Sequence, residues 1–174
     1  YGHHYIIKDQ YSHKKIARTN YFGKKYADAN ISEILKRRKI KYEEFDNIEK
    51  VVARLIKDLN IVGWFQGRSE FGQRALGNRS ILADPTSTKV KNLVNSSIKY
   101  REIFRPFAPS VLSEDQDKYF IIDGEQDSFF MEKVFKFKPE YMDILPGVCH
   151  YDGTGRLQTV NKYSNKKYWS LINE

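Results

Sequence analysis

At 174 residues the chain is long enough for one domain with a full hydrophobic core and short of two comfortable ones. A hydrophobic fraction of 40%, with 12 Tyr and 11 Phe, excludes a disordered polymer, and no apolar run reaches the length of a membrane helix. The net charge of +8 raises two alternatives, a solvated basic face or a site for a polyanion.

Taken in chain order, residues 1–21 are polar, aromatic and irregular, and read as a linker or the end of a preceding domain. His3 and His4 lie there without a third ligand in reach, so no metal site is assigned. With Asn30 as N-cap, Ile31, Ile34 and Leu35 predict a short helix. Asp46 or Asn47 caps a second, whose apolar stripe is Ile48, Val51, Val52, Leu55, Ile56 and Leu59, with Asn60 as its stop. Residues 61–66 are almost continuously apolar and predict a buried strand. A glycine-punctuated loop over 67–77 leads to a second strand at 79–83, ended by Asp84-Pro85. Thr88 caps a helix with Val90, Leu93, Val94 and Ile98 on one face, and further strands are predicted at 107–112, 129–137, 147–151 and 156–160. Helices alternating with strands of mixed type give an α/β or α+β domain with a mixed sheet.

The charge is uneven. Residues 1–45 carry +6, and Lys36 to Lys41 suit a solvated face. Residues 61–110 carry +5, and five of their eight bases are Arg. That stretch suits an anion site better, because the guanidinium is planar and permanently charged. Cys149 is a single cysteine, unable to form an internal disulfide or a Cys-based zinc site, which points to a reducing, cytoplasmic setting. No signal-peptide pattern opens the chain, and Tyr1 in place of Met suits an excised fragment.

Three clusters carry the chemistry. In the first, Gly67, Gly72 and Gly77 alternate with Arg68, Arg74 and Arg79. Glycines permit tight turns and close approach of a ligand, while guanidinium forks match phosphate or carboxylate oxygens. The spacing matches neither a Walker A loop nor a dinucleotide fingerprint. The bland alternative pairs Arg74 and Arg79 with Glu70 and Asp84. In the second cluster, Lys99, Arg101 and Arg105 stand among Tyr100, Phe104 and Pro106, which suits anion capture and stacking of a purine. In the third, His150 to Thr159 reads as a strand, an Asp152-Gly153 turn and a return strand, with Thr154 and Arg156 at the rim. A functionless hairpin and a merely hydrogen-bonded His150 are the commoner readings of that stretch taken alone.

At these clusters the sequence resembles the O-carbamoyltransferases of antibiotic and nodulation-factor biosynthesis. Their Gly-Trp-Phe-Gln-Gly-Arg-x-Glu-Phe-Gly-Pro-Arg-Ala-Leu-Gly-Asn-Arg-Ser is reproduced over residues 63–80, with Gln73 where proline is usual. Their Val-Lys-x-Arg-Glu-x-Phe-Arg-Pro-Phe-Ala-Pro-Ser is similar to residues 98–110, and their His-x-Asp-Gly-Thr-x-Arg-x-Gln-Thr-Val to residues 150–160. The resemblance covers residues 22–174.

The resemblance implies a YrdC-like domain over 22–174, with a twisted mixed β-sheet, flanking helices and a basic concave site. It implies that carbamoyl phosphate and ATP, with Mg²⁺ held mainly by phosphate oxygens and water, form carbamoyl-adenylate here. The carbamoyl group then passes to an acceptor hydroxyl in an actin-like N-terminal domain of the same polypeptide, which carries the iron and is absent from this sequence. Acceptor recognition belongs to that domain. Arg74, Lys99, Arg105 and Arg156 hold the motif positions that bind carbamoyl phosphate and the adenylate, and Arg74, Lys99 and Arg105 are assigned as catalytic. Arg68, Arg79, Arg101 and Ser110 complete the expected substrate-binding set. Gln73 loosens the backbone ahead of Arg74 relative to proline. Fixed cations meet the demands of adenylation by positioning and electrostatics, with no nucleophilic relay required. A binding module for RNA or nucleotides, without catalysis, is the competing class, and a degenerate domain is a third.

Overall fold

The computed structural model describes residues 19–124 and 127–174. Most of the predicted linker over 1–21, including His3 and His4, lies outside the described residues. The first helix, α1, spans Asp28–Arg37, two residues ahead of the expected cap at Asn30. Ala27 sits at its N-cap without a side-chain bond, and Asp28 in the first turn opposes Lys36 and Arg37 in the last, as the helix dipole favours. No residue of α1 is buried. Helix α2, Ile48–Lys57, is capped by Asn47, whose side chain accepts from Lys50 N at 2.9 Å. Val52 is its buried residue.

Strands β1, Val62–Phe65, and β2, Arg79–Leu82, pair antiparallel with Trp64 opposite Ser80. Trp64 faces inward while Phe65 is 54% exposed, so β1 buries one face only. The apolar run had suggested burial on both faces; an antiparallel pair without a helix on its outer side does not provide it. Helix α3, Thr88–Leu93, is capped by Ser87 rather than Thr88 and runs on into a π-helical turn at Val94–Ile98.

Strand β3 covers Ser110–Leu112 and is followed by a 3₁₀ turn at Ser113–Asp115 and helix α4, Gln116–Tyr119. Strands β4 (Phe120–Ile121) and β5 (Phe135–Phe137) come next, then helix α5 (Pro139–Met142). Strands β6 (Thr154–Gly155) and β7 (Gln158–Val160) lead to the last helix, α6 (Lys166–Asn173). Helices and strands are mixed as expected, and both parallel and antiparallel pairings occur. The strands nevertheless fall into three small sheets, β1-β2, β3-β7 and β4-β5-β6, of which β3-β7 is parallel. Pro106 and Pro109 cannot donate to a ladder, which holds β3 to three residues instead of the predicted 107–112. The stretch 147–151 is turn rather than strand, with Val148 N and Cys149 N both donating to Leu145 O. Residues 129–134 are likewise irregular, and Met131 has a φ of +56°.

Two apolar clusters organise the fold. Val52, Trp64, Val160, Tyr168 and Leu171 join α2, β1, β7 and α6. Phe120, Phe137, Val148 and Leu157 form the second, with the Phe120 and Phe137 rings 4.2 Å apart. Val160 packs in the first cluster, while Val111 and Leu157 pack in the second. The parallel ladder therefore bridges the two.

Candidate anion-binding site

The glycine loop between β1 and β2 is built on its own backbone. Gly67, Gly72 and Gly77 take φ values of +51°, +119° and +99°. The Glu70 carboxylate turns inward, and its Oε1 accepts from the main-chain N–H groups of Leu76 (3.0 Å), Asn78 (2.8 Å) and Arg79 (3.1 Å). Asn78, 4% exposed, donates Nδ2 to Arg68 O at 2.7 Å and accepts on Oδ1 from Gln66 and Asn165. Among the described residues neither Arg74 nor Arg79 forms an ion pair with Glu70 or Asp84. Glu70 closes the loop instead, and the Asp84 carboxylate accepts from Thr86 N and Oγ1.

The arginines of this loop divide by what they touch. Arg79 directs Nη1 to the carbonyls of Gln66 and Asn78 and Nη2 to that of Gly67, and stacks its guanidinium 3.6 Å from the Phe65 ring. Arg68 reaches Gly23 O at 3.2 Å. Both brace the chain. Arg74 lies at a cavity of about 260 Å³ lined also by Asn20, Phe71, Gly72, Gln73, Leu76 and Phe130.

The second cluster is held by Asn95, at 0% exposure in the π turn. Its Oδ1 accepts from Arg101 Nε at 2.7 Å, and the Arg101 guanidinium lies 4.7 Å from the Phe107 ring centre. Lys99 is exposed. Arg105 is exposed as well and pairs with Glu102 at 2.9 Å. The third cluster supplies Arg156. Its Nε is buried without a hydrogen-bond partner, and burial first, then the charges of Arg74 and Arg101, hold its guanidinium below the ordinary arginine range. Arg74 and Arg101, from two other stretches of the chain, thus both act on Arg156. Partial burial and like charges nearby both disfavour the Arg156 cation, and an anion beside it would offset them.

Ser110 belongs to a different network. Its Oγ donates to Gln158 Oε1 at 2.8 Å and accepts from Tyr168 OH at 2.9 Å, while Gln158 Nε2 donates to Leu76 O at 3.0 Å. Tyr21 OH also reaches Leu76 O, at 2.8 Å, and accepts from Asn165 Nδ2. This network ties α6 and the β3-β7 ladder to the glycine loop. The Asp-Gly turn forms as expected, with Gly153 at φ +75°, but its return strand β6 pairs with β5 and not with 147–151. His150 is hydrogen-bonded, Nδ1 lying 2.9 Å from Thr154 Oγ1, which donates to Asp152 Oδ1. That hydroxyl and the Thr154 N–H hold the Asp152 carboxyl below its usual range. Among the described residues no group of three or more His, Cys, Asp or Glu is gathered to hold a metal.

Glu70, Asn78, Asn95 and Gln158 were not singled out from the sequence as functional, and neither was helix α6. The helix did leave a signal: Asn165 precedes Tyr168, Leu171 and Ile172 at helical spacing, and its side chain accepts from Tyr168 N at 3.2 Å.

The fold and site together define a mixed α/β domain in which arginines from separate stretches approach a half-buried Arg156 whose Nε is buried and partnerless. The chain belongs to the carbamoyltransferase C-terminus family, whose model matches residues 53–174. It is 47% identical over 135 residues to nodulation protein NolNO of Sinorhizobium fredii, a match covering 77% of this chain and 20% of that protein. It is 46% identical over 129 residues to nodulation protein NolO of Bradyrhizobium diazoefficiens, covering 74% of this chain and 24% of the relative. With nodulation protein U of Sinorhizobium fredii the identity is 40% over 128 residues, covering 74% and 22%. The chain therefore spans only a small part of the length of the curated relatives it matches. No helix among the described residues is long and apolar enough to cross a membrane.

Proposed function

We propose that this domain binds carbamoyl phosphate and ATP and forms carbamoyl-adenylate, which a separate part of an O-carbamoyltransferase passes to an acceptor hydroxyl. The observation that carries the reading is the convergence of Arg74, Arg101 and Arg156, with Arg156 Nε buried and partnerless. A cluster of this kind is unfavourable by itself and is stabilised by a compact polyanion. In this reading Arg74, Arg101 and Arg156 hold phosphoryl oxygens and neutralise the charge that develops as pyrophosphate leaves. Lys99 and Arg105 are exposed at the rim, and Arg105 exchanges its Glu102 partner for ligand. Arg68, Arg79 and Ser110 act indirectly, by keeping the glycine loop and its neighbours in place. ATP supplies the adenylyl group, and Mg²⁺ travels with its phosphates.

The same reading takes the fold as YrdC-like, the setting as cytoplasmic, and the remaining partner as an N-terminal actin-like domain of the same polypeptide. Calorimetric titration of the chain tests it. Saturable binding of carbamoyl phosphate and ATP, lost in Arg74→Ala and Arg156→Ala, is expected. Salt-sensitive binding of RNA with no response to either small ligand would instead establish the non-catalytic module. In the full-length enzyme, Arg74→Ala and Arg105→Ala should abolish carbamoyl-phosphate-dependent release of pyrophosphate, and normal turnover in either variant refutes the catalytic assignment.

A further inference from the structure

The segment 99–105 carries three of the assigned cations and has little packing of its own. Tyr100 is 85% exposed, Phe104 75% and Ile103 55%. Tyr100 also takes a φ of +48°, a left-handed conformation that costs a non-glycine residue energy and persists only when its surroundings impose it.

Asn95 imposes it. The amide Nδ2 donates to Arg105 O at 2.8 Å and to Ile103 O at 3.2 Å. Oδ1 accepts from Arg101 Nε at 2.7 Å, and the main-chain carbonyl of Asn95 accepts from Arg101 N at 3.0 Å. Both amide hydrogens and the amide oxygen are used. Rotating the amide by half a turn would set donor against donor and oxygen against two carbonyls, so only one orientation satisfies the site. The π turn places this buried side chain beneath the segment. Among the described residues the two Nη groups of Arg101 make no hydrogen bond, which leaves them available to a ligand.

We propose that Asn95 is a positioning residue for the anion site, fixing the Arg101 guanidinium by its Nε so that both Nη groups stay free for the ligand. The proposal rests on reading that site as the place where carbamoyl phosphate binds. Arg101 is a long side chain within reach of the like charge of Arg156. Without an anchor at Nε, repulsion and rotamer entropy both favour its swinging into solvent before the ligand arrives. Asn95 removes that freedom in advance, and this is how a residue that touches no ligand raises affinity.

The test is a mutant cycle in the 174-residue chain, with carbamoyl phosphate affinity read by calorimetry and folding by circular dichroism. Asn95→Ala should weaken binding by roughly tenfold, a coupling typical of neighbours in one network, with the fold retained. Combined with Arg101→Ala it should weaken binding no further than Arg101→Ala alone. Combined with Arg74→Lys, on a different loop, the two losses should multiply. Unchanged affinity in Asn95→Ala overturns the proposal. So does multiplication with Arg101→Ala, or absence of multiplication with Arg74→Lys, which would mean that the whole site had collapsed. If Asn95→Ala does not fold, Asn95→Ser goes through the same cycle. Failure of both to fold also overturns it, because a positioning role leaves the fold standing. A wild-type chain that binds inorganic pyrophosphate but not carbamoyl phosphate removes the functional reading alone, and the cycle run with pyrophosphate still decides the role of Asn95.

Discussion

Tyr168 lies flat against Gly77, so closely that a methyl group on Gly77 would sit 2.2 Å from the ring Cδ1. Gly77 also has a φ of +99°, a conformation hostile to any side chain. Gly77→Ala combines backbone strain with a clash against a buried aromatic, and neither can relax without moving α6. It should destabilise the chain by at least about 3 kcal/mol in urea unfolding.

The Tyr168 hydroxyl is pushed up to about 12, chiefly by burial, with Tyr21 and Glu70 adding to the shift and the Ser110 hydrogen bond opposing it. Burial raises Tyr21 in the same direction. A folded value above the ordinary tyrosine value of 10.0 means that stability from the neutral phenol is complete below pH 10 and lost as pH climbs toward 12. Tyr168→Phe removes one of the two titrations. Its melting temperature should fall less steeply than wild type across that window, after a loss at pH 7 of about 1 kcal/mol from the missing Ser110 bond.

Arg156 should show function opposing stability. Arg156→Met relieves desolvation and the repulsion from Arg74 and Arg101 while keeping the length of the side chain. Because the group is half-buried and partly screened, the gain in unfolding free energy should be no more than about 1 kcal/mol. The same variant should lose carbamoyl phosphate binding. A variant markedly less stable than wild type would show that Arg156 has a structural partner.

Glu70 should behave in the opposite way. Glu70→Ala leaves three main-chain N–H groups without their shared acceptor and should lower stability by about 2–3 kcal/mol. Glu70→Gln keeps a carbonyl oxygen at that point and should lose less than half as much, measured by the same denaturant titration.

The site was legible where residue type dictates geometry. Glycines spaced by five announced a loop of tight turns, and all three take positive φ. What each arginine touches was not legible from residue type and spacing. Arg74 and Arg79 look alike in the sequence, and the difference arises because Arg79, at the start of β2, points back at its own loop's carbonyls. Asn95 and Glu70 left no periodic trace, since each saturates loop groups six to ten residues further along the chain. Strand limits failed for a related reason: residues 129–134 have strand-like composition, but Glu132 Oε2 takes the Phe130 N–H, and Ser128 just ahead is tied to Leu157 O and Thr159 Oγ1.

The parallel ladder has a kinetic consequence. Ser110 and Gln158 face each other across 48 residues of chain, and the cation-bearing segments 99–105 and 156 both lead into the strands they belong to. Closing so long a loop is slow, so this pairing belongs to a late stage of refolding. Until it forms, the arginines of the separate stretches are not brought together, and the proposed anion site does not exist. Ligand added during refolding should therefore leave the rate of folding unchanged and act afterwards, by slowing the escape of the finished molecule.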